Sequence, residues 1–303
     1  MSSSLRSFRI LGGFPTKQEY VRFIKNRSVD GHLLSDLELT AEWRRANAVV
    51  HELESSEPDV ATIEELIPLP DDLARLAESE LQNPAVQRTL GFLPYGWSLV
   101  ELDKLIVWQK YVDLSYANQL CENSPRKPSA AELVRIAAGS SRPAPLHVTT
   151  LNGNNFMFSS ASNDLRVLGT VPLDPTNVKG YEPYGYAGAV IGVFVGYSIN
   201  LMMAVQVGNR LMLVNGTHRA YALRAHGITH APMVVRRTTS KEDVEMLALP
   251  LDCQHIEAYL NAARPPMLRD FFDDRLAKSF LSMSQTHLVQ LEMKFVESRA
   301  TAP

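Results

Sequence analysis

The sequence predicts an α+β protein in which helices come first and a strand-rich centre follows. Two patterns carry this. Between Lys17 and Glu57 the apolar residues keep helical spacing, with Tyr20, Phe23 and Ile24 at i, i+3 and i+4, and Leu37, Leu39, Trp43, Val49, Val50 and Leu53 continuing the face. From Leu146 onward, short β-branched runs alternate with turn dipeptides such as Asn152-Gly153 and Gly208-Asn209.

Composition fits a globular chain: 303 residues, 45% hydrophobic and 21% charged. Disorder and coiled coil are excluded, and the length suits one or two domains with real cores. Thirty basic residues against thirty-three acidic ones leave a net charge of -3, which argues against a general polyanion or membrane-surface binder. Cys121 and Cys253 stand far apart with no CxxC pattern, so neither a disulfide framework nor a zinc site is indicated and a reducing cytoplasm fits best. Met1 to Phe14 lacks the apolar centre of a secretory leader, and the run Ala187 to Val195 falls well short of the roughly 20 apolar residues a spanning helix needs. The expectation is a cytoplasmic protein without membrane contact.

Taken in order, Thr16 and Glu19 form a capping box ahead of the first helix, and Asp71 to Leu81 is a second helix that opens after Pro70 and ends before Pro84. Residues 1–95 thus read as a helical region serving packing or dimerisation. Leu99 to Gln109 is extended, and Val112 to Leu120 turns into a helix. A break at Pro125 to Ser129 precedes a short helix, Ala130 to Ala138, stopped by Gly139. Leu146 to Leu151 and Asn155 to Ser159 form a hairpin around Asn152-Gly153. The loop Asp174 to Gly188 contains Lys179-Gly-Tyr-Glu-Pro-Tyr-Gly-Tyr186, which suits either a stacking platform for a base or a packed irregular loop. Strands follow at Val190 to Gly196, Leu201 to Val207 and Leu211 to Val214, then a helix over Arg219 to His226 ended by Gly227, and a strand over Ala231 to Arg236. Residues 96–245 form the central domain. After Lys241 the pattern is helical again, so 246–303 is expected as a helical extension packed on the core.

One segment carries chemistry. Asn215-Gly216-Thr217-His218-Arg219 is a tight turn between a strand and a helix. The first amides of a helix are unpaired and their dipole favours an anion, glycine permits close backbone approach, and an arginine fork suits phosphate oxygens. The same residues also suit an ordinary Asn-Gly turn with Thr217 as N-cap and Arg219 in solvent. Elsewhere the signals are weaker. Glu101, Asp103 and Asp113 offer either a general base or solvated strand-edge charge. His226 and His230 lack a carboxylate to complete a metal site, so no metal ligand is assigned. Asp270, Asp273 and Asp274 beside Phe271 and Phe272 read as a docking segment whose rings pack on the domain. Walker A, GxGxxG, HExxH and GxSxG patterns are absent.

The stretch Leu213-Val-Asn-Gly-Thr-His-Arg-Ala-Tyr-Ala-Leu223, followed by Gly227 and Ala231-Pro-Met-Val-Val235, resembles the signature of the ParB/sulfiredoxin superfamily, and Val100 to Gln109 resembles the first strand of that domain with the glutamine that follows it. The resemblance spans about 100 to 237 and implies a ParB/sulfiredoxin-like mixed sheet with flanking helices and insertions. It implies nucleotide binding, with ATP, ADP or CTP and Mg2+ as cofactor. Asn215, Gly216, Thr217, His218 and Arg219 would contact it, Gln109 would close the site, and His218 and Arg219 would be the catalytic pair. The chain departs from each branch. Thr217 stands where sulfiredoxins need cysteine, Thr217-His218-Arg219 replaces the Glu-Arg-Arg of partition clamps, and Asn215 replaces the Asp of kinase-like and nuclease members.

The leading expectation is therefore a nucleotide-binding protein acting in phosphoryl transfer, as an NTPase or a kinase with a small-molecule or protein acceptor. A DNA-associated regulator or nuclease is the alternative, resting on Arg236, Arg237 and Lys241 as a basic strip. A non-catalytic interaction scaffold is the third. A homodimer is compatible with all three.

Overall fold

The computed structural model describes residues 5–90, 94–122, 125, 127–139, 145–162, 164–180, 185–197, 199–238 and 256–298. In chain order the elements are β1 (Leu5–Leu11), α1 (Lys17–Arg27), α2 (Asp36–Ser56), β2 (Ile67–Pro68), α3 (Asp71–Leu81), α4 (Pro84–Leu90), β3 (Tyr95–Glu101), β4 (Ile106–Val107), β5 (Tyr111–Asp113), α5 (Leu114–Glu122) and α6 (Ala130–Ala138). There follow β6 (His147–Asn152), β7 (Asn155–Ser160), β8 (Leu165–Leu173), β9 (Val190–Tyr197), β10 (Met203–Val207), β11 (Arg210–Asn215), α7 (Thr217–Ala225), β12 (His230–Thr238), α8 (Ile256–Asn261), β13 (Ala277–Met283) and β14 (His287–Glu292). The α+β class is as the sequence predicts.

The chain divides into two compact units. The larger comprises Met1–Ser140 and Ile199–Ser284, the smaller Ser141–Ser198 and Gln285–Pro303. This division differs from the expected succession of three blocks. The first block is mostly helical but also carries strand, because β1 pairs along its whole length with β13, from Leu5 opposite Met283 to Leu11 opposite Ala277. Residues 246–303 are not chiefly a helical extension either. Among the described residues they contribute α8 and then the strands β13 and β14. Phe280 of β13 stacks on Phe8 of β1 with centroids 5.8 Å apart, and Tyr20 and Ile24 of α1 bury against that pair.

At the centre of the larger unit is a six-stranded mixed sheet in the order β2-β3-β12-β10-β11-β4. β12 lies antiparallel to β3 and parallel to β10, while β10 and β11 are antiparallel. Period-2 alternation splits β12 between two faces. Ala231, Met233 and Val235 join Val100, Ala204, Leu211, Leu213, Ala220 and Leu223 in the main core, which α7 covers. Val234 instead packs with Leu81, Val86, Leu90 and Leu201. The helices start where their caps dictate: Thr16, Ser35 and Ser129 each accept from the third helical amide while Glu19, Glu38 and Glu132 reach back to the cap amide. The returning bond holds the Glu132 carboxyl below its usual range.

The Pro-Pro segment is fixed by a buried ion pair. Arg264 makes a two-pronged contact with Asp270 at 2.7 and 2.6 Å, adds the Pro265 carbonyl at 2.8 Å, and approaches Glu57 at 3.2 Å. Asp270 also accepts the Met267 amide at 2.7 Å, so both charges are saturated with partners. Asp270 is therefore an internal anchor of this turn, in the first turn of the short helix Leu268–Phe272. Phe271 is buried, and Phe272 stacks on Tyr221 at 4.7 Å, as the packing of the two rings was expected to do.

Asp270→Asn leaves Arg264 buried without its main counter-charge and is expected to cost about 3–5 kcal/mol, read from urea unfolding midpoints. A loss under about 1 kcal/mol would show that the pair does not hold the segment.

Candidate functional site

The bend between β11 and α7 is built around Gly216. Its φ of 95° lies in the left-handed region, and a Cβ there would stand 2.7 Å from the Met202 Cγ and 3.1 Å from its Cα. No other residue fits. Gly216, and not Thr217, is the residue that caps α7, and no side chain bonds to the cap. The first intrahelical bond runs from the Ala220 amide to the Gly216 carbonyl at 2.9 Å. Among the described residues the amides of Thr217 and His218 meet no protein acceptor. They form the positive end of the α7 dipole.

His218 sits beside these amides with its ring edge against Tyr116, centroids 5.4 Å apart. Its Nε2 is buried and, among the described residues, has no hydrogen-bond partner. Burial, then the positive charges of Arg6 and Arg219, push its pKa down from 6.5 to about 4. The imidazole is neutral at pH 7.

Arg219 does something other than the sequence suggests. Its guanidinium is buried and turned into the protein, where Nη1 donates to the carbonyls of Ile136 at 2.8 Å and Ala137 at 3.2 Å and Nη2 to the Asn200 Oδ1 at 2.7 Å. These acceptors are the last carbonyls of α6 and the strand approach to β10. A cation at a helix C-terminus meets the negative end of the dipole. Gly139 makes room for the arrangement: at φ 70° it closes α6, and a Cβ there would lie 1.8 Å from the Asn200 carbonyl oxygen and 3.1 Å from the Arg219 Nη1. The Met202 amide completes the junction by donating to Ala137 at 2.7 Å. Arg219 is a clamp between α6, the 199–202 segment and α7. It is not placed as a phosphate ligand or a catalytic group.

The other predicted residues are engaged elsewhere. Gln109 donates its side-chain amide to the Tyr111 carbonyl at 2.9 Å, within its own loop. Asn215 reaches the Ile199 carbonyl at 3.5 Å, the outer limit of a hydrogen bond. Of the three acids considered as bases, Asp103 is gripped by Arg224 at 2.6 and 3.0 Å, Asp113 pairs with Arg6 at 2.9 Å, and Glu101 lies 3.5 Å from Lys104. His230 bonds Thr229 at 3.0 Å, and the described residues contain no cluster of three or more His, Cys, Asp or Glu that could hold a metal. Asp273 binds Arg275, and Asp274 binds Arg9 at 2.5 Å. Cys121, half-buried beside α7, has its thiol pKa raised by burial, the opposite of what a redox nucleophile needs. Residues 181–184 of the tyrosine loop, Lys241 and Cys253 lie outside the described residues.

Tyr116, Arg6 and Asn200 were not anticipated. No local signal marks them, because each reaches the α7 N-terminus only through the tertiary arrangement of β1, α5 and the 199–202 segment. Comparison with protein-family models, with curated proteins and with solved structures returns no match.

Two outcomes follow from this geometry. Arg219→Met strands the carbonyls that end α6 and is expected to cost about 3 kcal/mol at roughly 1–3 kcal/mol per orphaned group, with Arg219→Lys recovering only part because one ammonium cannot span all three acceptors. Denaturant titration reads this, and a cost under about 0.5 kcal/mol would contradict the clamp. The second concerns pH. The folded pKa of His218, about 4, lies below the unfolded value near 6.5, so the unfolded chain binds the proton first. Stability should fall as pH drops from about 6.5 towards 4, and His218→Gln should flatten that part of the profile. An unchanged slope would place the imidazole in solvent.

Proposed function

We propose that the chain binds the phosphate groups of a nucleotide at the N-terminus of α7. The observation that carries the reading is the conjunction of two amides without acceptors, at Thr217 and His218, with a neutral imidazole whose buried Nε2 is also without a partner. A helix N-terminus alone suits any anion. The orphaned Nε2 adds a requirement for a hydrogen-bonding guest, since buried polar atoms are otherwise satisfied. The Gly-x-His-Arg sequence, the strand-helix-strand unit around it and the mixed sheet support a ParB/sulfiredoxin-like assignment, which is part of this proposal.

Within that reading the residues divide their work. The amides of Thr217 and His218 take phosphate oxygens, His218 donates from its imidazole, and Arg219 keeps α7 pointed at the guest by holding α6. Magnesium would arrive with the nucleotide, as the described residues offer no cluster to hold it alone. The acids near β3 and β5 are committed to Arg224 and Arg6, so binding is better supported than acid-base catalysis. The DNA-associated alternative loses its footing: Arg236 is buried while its neighbour Arg237 is exposed, so the two do not form one basic strip.

Equilibrium binding of ATP, ADP and CTP, with and without Mg2+, tests the proposal. At least one nucleotide should bind, His218→Ala should weaken it about tenfold, near 1.4 kcal/mol, and the imidazole titration followed by NMR should move up from about 4 when the anion arrives. Failure of all three nucleotides to bind, or equal affinity in His218→Ala, would overturn it. Phosphate release in the same samples separates hydrolysis from binding alone.

A further inference from the structure

Four arginines are buried among the described residues: Arg210, Arg219, Arg236 and Arg264. Three of them are fully explained. Arg210 donates to the carbonyls of Leu260 and Ala262 and to Asp59, Arg219 to the end of α6, and Arg264 to Asp270. Arg236 is the exception. It is 7% exposed, its Nε is buried with no partner, and it forms no hydrogen bond or ion pair with any described residue. Burial lowers its pKa, and among the described residues no acidic neighbour offsets it.

Strand register shows where this cation points. Arg236 of β12 lies opposite Tyr95 of β3 and beside Val205 of β10, while two residues earlier Val234 lies opposite Trp97 and beside Met203. Paired residues share a face, so Arg236 and Trp97 are diagonal neighbours about 7–8 Å apart on the face that carries Val234. That face is the one turned away from α7, whose partners are Met233 and Val235. Trp97 has the same anomaly as Arg236: its Nε1 is buried and unpartnered. Two buried N–H donors without a hydrogen-bond partner, one of them charged, thus sit on adjacent strands on one face of the sheet. Around them are apolar walls from Tyr95, Met203, Val234 and Leu201. The Tyr95 hydroxyl is already used on Gln87 at 3.0 Å.

We propose that Arg236 and the Trp97 indole form a second ligand site, on the opposite face of the sheet from α7, for an oxyanion carried on an apolar body. Charge and donor geometry define the ligand as a carboxylate or a phosphate: the guanidinium fork takes one or two oxygens and the indole N–H takes one. A buried cation with no internal counter-charge is tolerable when the guest supplies it. The site is independent of nucleotide binding at Gly216, because it uses different residues on a different face.

The test is thermal unfolding of the full chain in inorganic phosphate and in propionate, each matched in ionic strength with sodium chloride. A ligand that binds only the folded state raises the melting temperature with concentration. The wild type should respond to at least one probe beyond chloride, and a response to propionate, or a phosphate response that persists in His218→Ala, tells carboxylate from phosphate at this site. Arg236→Met should abolish the propionate response and whatever phosphate response persists in His218→Ala, and Trp97→Phe should weaken that apparent affinity about threefold or more. If Arg236→Met does not fold, Arg236→Lys replaces it, with at least a tenfold loss of affinity expected, and equilibrium dialysis of each probe against the wild type gives the direct measurement. No response of the wild type to either probe overturns the site. So does a propionate response that survives loss of the Arg236 fork, or the absence of any response to either probe once His218→Ala is in place.

Discussion

The burial of the Arg219 guanidinium beneath the C-terminus of α6 is the constraint on which the candidate site depends. Three backbone segments distant in sequence end at one group: α6 through the Ile136 and Ala137 carbonyls, the approach to β10 through Asn200, and α7 through Arg219 itself. Two glycines make this geometry accessible. Gly139 passes so close to the Asn200 carbonyl that no side chain fits, and Gly216 does the same against Met202. Large polar groups are costly to bury, and a guanidinium is tolerated here because carbonyl dipoles meet its donors. The bend at Gly216 is therefore held from behind, and among the described residues the amides of Thr217 and His218 are left without acceptors.

This arrangement reverses the usual assignment of roles at a basic bend. An arginine in the first turn of a helix reads as the anion ligand because it carries the charge. Here the charge is consumed in supporting the backbone, and the anion-attracting capacity passes to neutral groups: two amides, the helix dipole and an uncharged imidazole. The charge of Arg219 still contributes, since together with Arg6 it helps hold His218 neutral. A neutral imidazole in this position donates one hydrogen bond and does not compete for a proton near pH 7. That favours recognition of a phosphate over proton transfer to or from it.

How much of this was legible follows from the range of each interaction. Helix limits set by caps were readable, because Thr16 with Glu19 and Ser129 with Gly139 act within one turn. The hairpin at Asn152-Gly153 and the unit from β11 to β12 were readable for the same reason. β8 was missed because Gly169 and Pro172 interrupt its pattern, and the strand accommodates them with a bulge between Val167 and Gly169. β1 and β13 were missed because each is defined by the other across most of the chain length. At the site, the residue types at 215–219 were visible, whereas the direction of the Arg219 side chain was not. Direction depends on Asn200 and on the carbonyls of α6, and no spacing rule connects those to position 219.

The two proposed sites on the central sheet pose opposite electrostatic problems. At the α7 N-terminus the positive potential comes from dipoles and amides, whose effect decays within about one turn of helix. An anion there gains many short contacts and little long-range attraction, so selectivity rests on the shape of the phosphate group. At Arg236 a full charge lies among Val205, Val234 and Tyr95 with no carboxylate among the described residues to answer it. In so apolar a setting Coulomb attraction is strong and weakly screened, and the apolar walls reject hydrated ions while accepting an oxyanion with a hydrophobic body. β12 contributes to both faces, with Val235 under α7 and Arg236 on the other side, so the same strand that carries the core also separates the two proposed sites. A chain that arranges carbonyls or carboxylates for Arg210, Arg219 and Arg264 has the means to neutralise a buried guanidinium. At Arg236 the described residues supply no such counter-charge, and under the proposal a ligand does.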